Sequence, residues 1–397
     1  MDGWAKEAER ANDPYDKALA EYYNQNFIQA KALFQQSADL KLQELAVILQ
    51  KEEALQKRKL QVIEEAVERL KGKGDAAFSA YQFEEALDAY EQALTILPKG
   101  QLARLWTDLQ MDIANANWAI GIRTEGQKLH ECLTRARQAY AQGEKGYAAL
   151  GQQEGRAAAQ VGLGLILQEQ GIRTGGEEGQ QLLAQAVAAY RAALKVRTRE
   201  QLPQPWAMTQ NNLGAGLQEL GIRTGGEKGQ QLLAEAEAAY EKALEVFTRE
   251  GLPGYWMLAR PNLAEVYLFQ GNWEKVQFEV LDLADDPIIP LESKIAHRLI
   301  QIVALAGEGK RQSFPKVLEI LKRMVIKQNP DFFLTWNSQG TKHFIGQHEA
   351  FAGSREWLVA LLNAFSGTTR DTMLAAVKTA QTQFMAAGSS NKILPPQ

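Results

Sequence analysis

Apolar residues return at spacings of three and four along most of the chain, the period of helices that bury one face. Leu233, Ala236, Tyr240, Ala243, Leu244 and Phe247 form one such stripe. Leu299, Ile302, Val303 and Ala306 form another, and Trp357, Leu358, Leu361, Leu362 and Phe365 a third. Leu213 and Leu217 lie four apart behind Pro205, a residue suited to a first helical turn. Between Tyr15 and Lys71 there is neither Gly nor Pro, and 41–71 is rich in Leu, Glu, Lys and Gln, so one or two long helices are expected there. Leu60, Ile63, Val67 and Leu70 continue an apolar seam, but Glu53 and Gln56 interrupt it where a coiled coil needs apolar residues. The pattern predicts a protruding arm that is only partly packed.

The pattern repeats. Gly121-Ile122-Arg123-Thr124 recurs as Gly171-Ile172-Arg173-Thr174 and as Gly221-Ile222-Arg223-Thr224, a period of 50 residues. Aligned without gaps, 171–220 and 221–270 share 28 of 50 residues, and 121–170 and 171–220 share 17. The same register puts Tyr90, Tyr140, Tyr190 and Tyr240 in one column and Trp106, Trp206 and Trp256 in another, with Arg156 in the remaining place. Four units follow: 71–120, 121–170, 171–220 and 221–270. Each reads as two helices; in 205–220 Gly221 follows the last apolar position of the first, where a left-handed cap is needed. Thr124-x-x-Gln127, Thr174-x-x-Glu177 and Thr224-x-x-Glu227 read as capping boxes that open the second.

Small and aromatic positions give the repeat a family likeness. Gly74, Ala86, Tyr90, Ala93 and Pro98 fall at the spacings of the tetratricopeptide repeat. The triplets Ala186, Tyr190, Ala193 and Ala236, Tyr240, Ala243 repeat its second-helix pattern, and Ala30, Phe34 and Ser37 imitate it. The chain resembles the extended tetratricopeptide arrays of bacterial signalling proteins, and Asn211-Asn212-Leu213-Gly214 is similar to kinesin light chain repeats. The family unit has about 34 residues; the excess here is assigned to the start of the second helix and to the link after it. The resemblance implies an all-α fold: a right-handed solenoid of antiparallel helix pairs with a long N-terminal arm and a divergent helical C-terminal cap. The organisation expected is a degenerate repeat plus arm over 1–70, a solenoid over 71–285, degenerate repeats or a helical cap over 286–387, and a mobile tail over 388–397.

Composition narrows the function classes. A single cysteine, Cys132, allows no internal disulfide and no cysteine-built zinc site, which fits a reducing compartment. The first twelve residues carry no secretory pattern, and no run approaches the roughly 20 apolar residues that cross a bilayer. A cytoplasmic protein without a membrane segment is expected. Catalytic constellations are missing: no His-Glu-x-x-His, no Gly-x-Ser-x-Gly and no phosphate loop, since Gly307-Glu308-Gly309-Lys310-Arg311 lacks the upstream glycine and the following hydroxyl. His130 and Cys132 fall on different helix faces, and His343 with His348 offers two metal ligands at most. The expectation is a noncatalytic protein with no cofactor and no metal.

The tyrosine and tryptophan columns are expected to fill gaps between helices. Arg123, Arg173 and Arg223 leave two readings open: packing between repeats with Glu177 or Glu227 as partners, or a ladder of anion sites. The resemblance places binding on the concave face. Its first-helix positions there are Asn115, Trp118, Gln168, Met208, Asn211, Asn212, Gln218, Asn262 and Glu265. Amides that both donate and accept suit the backbone of a bound segment. The chain is therefore expected to be an adaptor or sensor that holds a protein or peptide segment, its effector being a separate chain. The rival reading is a polyanion or nucleic-acid binder. The formal net charge is −4, but 294–343 holds nine Lys or Arg against three acids, with Phe332, Phe333 and Trp336 among them.

Overall fold

A computed structural model describes residues 13–23, 26–98, 100–328, 338–366 and 369–390. Among these the chain folds into sixteen α-helices and two short 3-10 turns, without a strand. It divides into two compact units, Met1–Trp106 and Thr107–Gln397.

The first unit contains α1 (Pro14–Tyr23), α2 (Phe27–Ser79) and α3 (Phe83–Ile96). The run without Gly or Pro becomes one helix of 53 residues, about 80 Å long at 1.5 Å per residue. α1 and α3 both pack on it. Ala18 of α1 and Ala30 of α2 are buried, as are Val67 and Ala77 further along α2. Every residue from 38 to 59 is exposed. Glu53 and Gln56 fall inside that stretch, as the broken seam requires.

The second unit holds the repeat. After α4 (Ala103–Gly121, whose last residues begin the unit) come α5 (Gly126–Ala149), α6 (Gln153–Thr174), α7 (Gly176–Ala193), α8 (Pro203–Thr224), α9 (Gly226–Leu244), α10 (Pro253–Phe269) and α11 (Trp273–Asp285). From α5 to α11 each helix packs on its successor, and α6 meets α8 as α8 meets α10. First helices therefore lie beside first helices, one repeat apart. Pro203 and Pro253 stand at the start of α8 and α10, where a missing N–H leaves no intrahelical bond unmade.

The corner between paired helices differs from the capping-box expectation. Thr174 and Thr224 end α6 and α8, and their hydroxyls donate back to the carbonyls of Gln170 and Leu220 at 2.8 and 2.7 Å. The next helices start on Gly175 and Gly225 with no side-chain cap. Thr124 likewise donates to Gly121 O, and Glu125 is the residue before α5. The turn is made by consecutive glycines, Gly175-Gly176 and Gly225-Gly226, with φ of 69° and 56°, then 63° and 57°. Gly171 and Gly221 are helical, not left-handed caps. They serve close approach: a methyl group on Gly171 would lie 2.9 Å from Gly179 O, and one on Gly229 would lie 2.6 Å from Gly221 O. With the Gly-Ile-Arg-Thr run as its last turn, the first helix reaches 22 residues and the second 18 or 19. The Gly-Ile-Arg-Thr run thus belongs to the first helix and not to the start of the second, and links of nine and eight residues, 194–202 and 245–252, follow the second.

Beyond α11 follow α12 (Leu291–Gly307), α13 (Phe314–Ile326), α14 (Gln339–Gln347), α15 (Arg355–Ala364) and α16 (Arg370–Ser390). They do not form a core of their own. One buried cluster runs from Leu167, Tyr190 and Tyr240 through Ile302 and Leu321 to Phe365 and Val377. α14 packs against the end of α8, where a methyl group on Gly340 would lie 3.5 Å from Ile222, and its Phe344 is edge-on to Phe269 of α10 at 5.4 Å. α16 continues through Gly388–Ser390; the rest of the expected tail lies outside the described residues, as do Phe332, Phe333 and Trp336.

Candidate functional site

The first helices of the second unit carry the residues expected to bind a partner. Asn115 and Trp118 are on α4, Gln168 on α6, Met208, Asn211, Asn212 and Gln218 on α8, and Asn262 and Glu265 on α10. Eight are half-buried or buried, while Met208 is 40% exposed. Leu258, the same position one repeat later, is 61% exposed. Met208 with Asn212, and Leu258 with Asn262, are four residues apart and share a helix face.

Much of the amide row has a partner already. Tyr140, Tyr190 and Tyr240 are buried, and each donates its hydroxyl to a first-helix amide oxygen: Asn115 Oδ1 at 2.5 Å, Gln168 Oε1 at 3.0 Å and Gln218 Oε1 at 3.2 Å. Gln218 Nε2 then donates to Glu265 Oε2 at 3.2 Å, so this link crosses from α8 to α10. Tyr90 follows the same plan in the first unit, donating to Asp75 Oδ1 at 2.9 Å. Burial holds the three phenols Tyr140, Tyr190 and Tyr240 well above their ordinary pKa, so they act as neutral donors. Their rings lie against glycines of the first helices: a methyl group on Gly164 would be 2.5 Å from Tyr190 Cε1, and one on Gly214 would be 2.9 Å from Tyr240 Cε1. The tyrosine column therefore fills gaps, as expected of packing aromatics. Asn115, Gln168 and Gln218 help to hold it. Asn211 Oδ1 is buried without a hydrogen-bond partner.

Arg223 packs between repeats, and the acids beside Arg173 and Arg223 are not Glu177 and Glu227. Arg173 pairs with Glu169 at 2.5 Å and Arg223 with Glu219 at 2.8 Å, each one turn earlier on its own helix. Arg123 donates to Ala119 O at 2.7 Å. Arg223 also reaches the preceding repeat, donating from Nη1 to Gly171 O at 2.7 Å and from Nη2 to Ile172 O at 2.6 Å. Gln180 returns the contact, its Nε2 donating to Arg223 O at 2.8 Å. Identity of the Gly-Ile-Arg-Thr runs concealed the partners, because i−4 acids and carbonyls of another repeat are legible only once helix ends are known.

The basic C-terminal stretch is less open than its composition suggests. Arg298 is buried and donates to Gln301 Oε1 at 2.8 Å; Lys322 and Arg323 flank Glu319 at 3.7 and 3.2 Å. Hydrogen bonding from Arg323 holds the Glu319 carboxyl below its ordinary pKa. Next to Arg298, His297 is 2% exposed, and burial lowers its pKa to about 4. Cys132 is buried. Among the described residues no three His, Cys, Asp or Glu side chains gather into a metal-binding group, and no helix is long and apolar enough to cross a membrane. Comparison with known proteins found no family model and no curated protein that matches the chain.

Proposed function

We propose that the protein is a noncatalytic scaffold or sensor whose first-helix face grips an extended segment of another polypeptide. On this reading the helix pairs form a right-handed tetratricopeptide-like solenoid, and the chain serves as the cytoplasmic adaptor of a signalling complex with its effector on a separate chain. The observation that carries the reading is the pairing of exposed apolar and half-buried amide positions at one repeat's distance: Met208 with Asn212, and Leu258 with Asn262. The apolar side chains offer area for a partner's side chains, and the amides offer backbone hydrogen bonds. Asn115, Gln168 and Gln218 support this face from beneath by fixing the tyrosines.

A photo-crosslinking residue placed at 258, and separately at 326 in the basic segment, tests the assignment in extract of the source cells. Ile326 is 53% exposed, so both positions are accessible. The proposal predicts a discrete polypeptide adduct at 258 and none at 326. Adducts at 326 alone, lost on nuclease treatment, would favour the polyanion reading.

A further inference from the structure

The repeat contains its own example of guanidinium recognition. Arg223 lays its two terminal nitrogens on Gly171 O and Ile172 O in the last turn of α6, with its side chain 19% exposed. The end of a helix concentrates unpaired carbonyls and partial negative charge, which suits a cation. Gly179 forms the floor of the notch: a methyl group there would stand 2.8 Å from Arg223 Nη1.

The same notch is built again 50 residues later. Gly221, Ile222, Gly225, Gly226, Gly229 and Gln230 are each identical to the residue at the matching place around Gly171. The turn glycines keep their positive φ, and Gln230 again donates to a carbonyl at the end of the following helix, Phe269 O at 3.3 Å. What changes is that following helix. α10 ends at Phe269, and the position that matches Arg223 is Trp273, which opens α11. Phe269 matches Glu219, the acid that pairs with Arg223. The second notch is consequently a cleft of about 150 Å³, walled by Phe269 and by His343, Phe344, Gln347 and His348 of the α14 region.

We propose that this cleft receives the guanidinium group of an arginine side chain from a partner polypeptide. Gly221 O accepts from Gly225 N–H at 3.0 Å and keeps a second lone pair; with Ile222 O it reproduces the pair of acceptors that Arg223 uses. In place of Glu219 stands Phe269, with Phe344 beside it in the wall of the cleft; aromatic rings attract a cation where the Glu219 carboxylate is missing. A planar, weakly hydrated guanidinium suits such walls better than a compact ammonium. The cleft lies at the C-terminal end of α8, beyond the amide row, and the inference stands whether or not that row binds a peptide.

Titration of the full-length protein with N-acetyl-arginine amide, followed by backbone amide NMR, tests the site. Saturable shifts are expected at Gly225, Gly226, Gly229 and Phe344, with a dissociation constant of about 1 mM, a magnitude fitting a single side chain. N-acetyl-lysine amide should bind about tenfold more weakly and the uncharged citrulline analogue not at all. In Arg223→Ala the first notch opens, and a second set of shifts should appear at Gly175, Gly176 and Gly179. Absence of saturable shifts at the second notch in the wild-type protein, or equal binding of citrulline, overturns the proposal, whatever the variant does.

Discussion

Tyr190 shows how single residues carry both packing and polarity. Its ring is fully buried against Gly164, and its hydroxyl is spent on Gln168. Tyr190→Ala should lose about 3–5 kcal/mol of stability, the range for deleting a buried aromatic. Tyr190→Phe should lose about 1 kcal/mol, because Gln168 keeps partial access to water and only one hydrogen bond goes. Urea unfolding of the two variants separates these contributions. His297 gives a pH-dependent case. Burial and the neighbouring Arg298 lower its folded pKa to about 4 from 6.5, so the unfolded chain takes up the proton first as pH falls. The native state then loses stability as pH falls from 6.5 to 4, on the order of 3 kcal/mol, since each tenfold difference in proton affinity between the two states is worth about 1.4 kcal/mol. Comparing urea midpoints across that range for the wild-type protein and His297→Gln checks the sign. The variant should show a flatter profile; identical slopes would remove His297 from the acid response.

Among elements, the corner between paired helices most changes what substitutions should do. A Thr that caps a helix start loses about 1 kcal/mol on replacement by Ala, but Thr174 and Thr224 end their helices and bond back to carbonyls already in the helix. Thr174→Ala should therefore change stability by less than about 0.5 kcal/mol. Gly171→Ala should cost about 1–3 kcal/mol despite the better helix propensity of Ala, since the clash is with the backbone oxygen of Gly179 and no rotamer relieves it. Thermal unfolding of these two variants distinguishes a glycine-built corner from a hydroxyl-built one. The helices themselves were legible in the sequence because their apolar residues recur at helical spacing. Corner chemistry was not: Thr-Gly-Gly-Glu satisfies a capping-box pattern, and only the positions of the helix ends show that Gly175 and Gly176 make the turn. Partners such as Glu169 for Arg173, or Gly171 O for Arg223, were hidden for the same reason.

In the whole molecule, each unit joins repetition to a departure from it. In the first, the 53-residue α2 is partnered near both ends and bare between. In the second, repeats feed a buried core that passes without a break into α12–α16, so the C-terminal helices complete the last repeats instead of standing apart. That continuity left no register in the sequence, because helices packing on a repeat's end need only an apolar face. The nine candidate binding residues were legible as first-helix positions. The division between amides that hold tyrosines and those that do not appears only with side-chain geometry. Affinity for a cognate peptide, selected from a displayed library against the full-length protein, tests the central functional claim most directly. Asn212→Ala combined with Asn262→Ala should weaken that peptide at least tenfold, about 1.4 kcal/mol, with little change in melting temperature, whereas Lys322→Glu with Arg323→Glu should alter mainly association rate and salt dependence. Normal binding by the double Asn variant, together with loss of binding on charge reversal, would contradict the account and move the partner to the C-terminal surface.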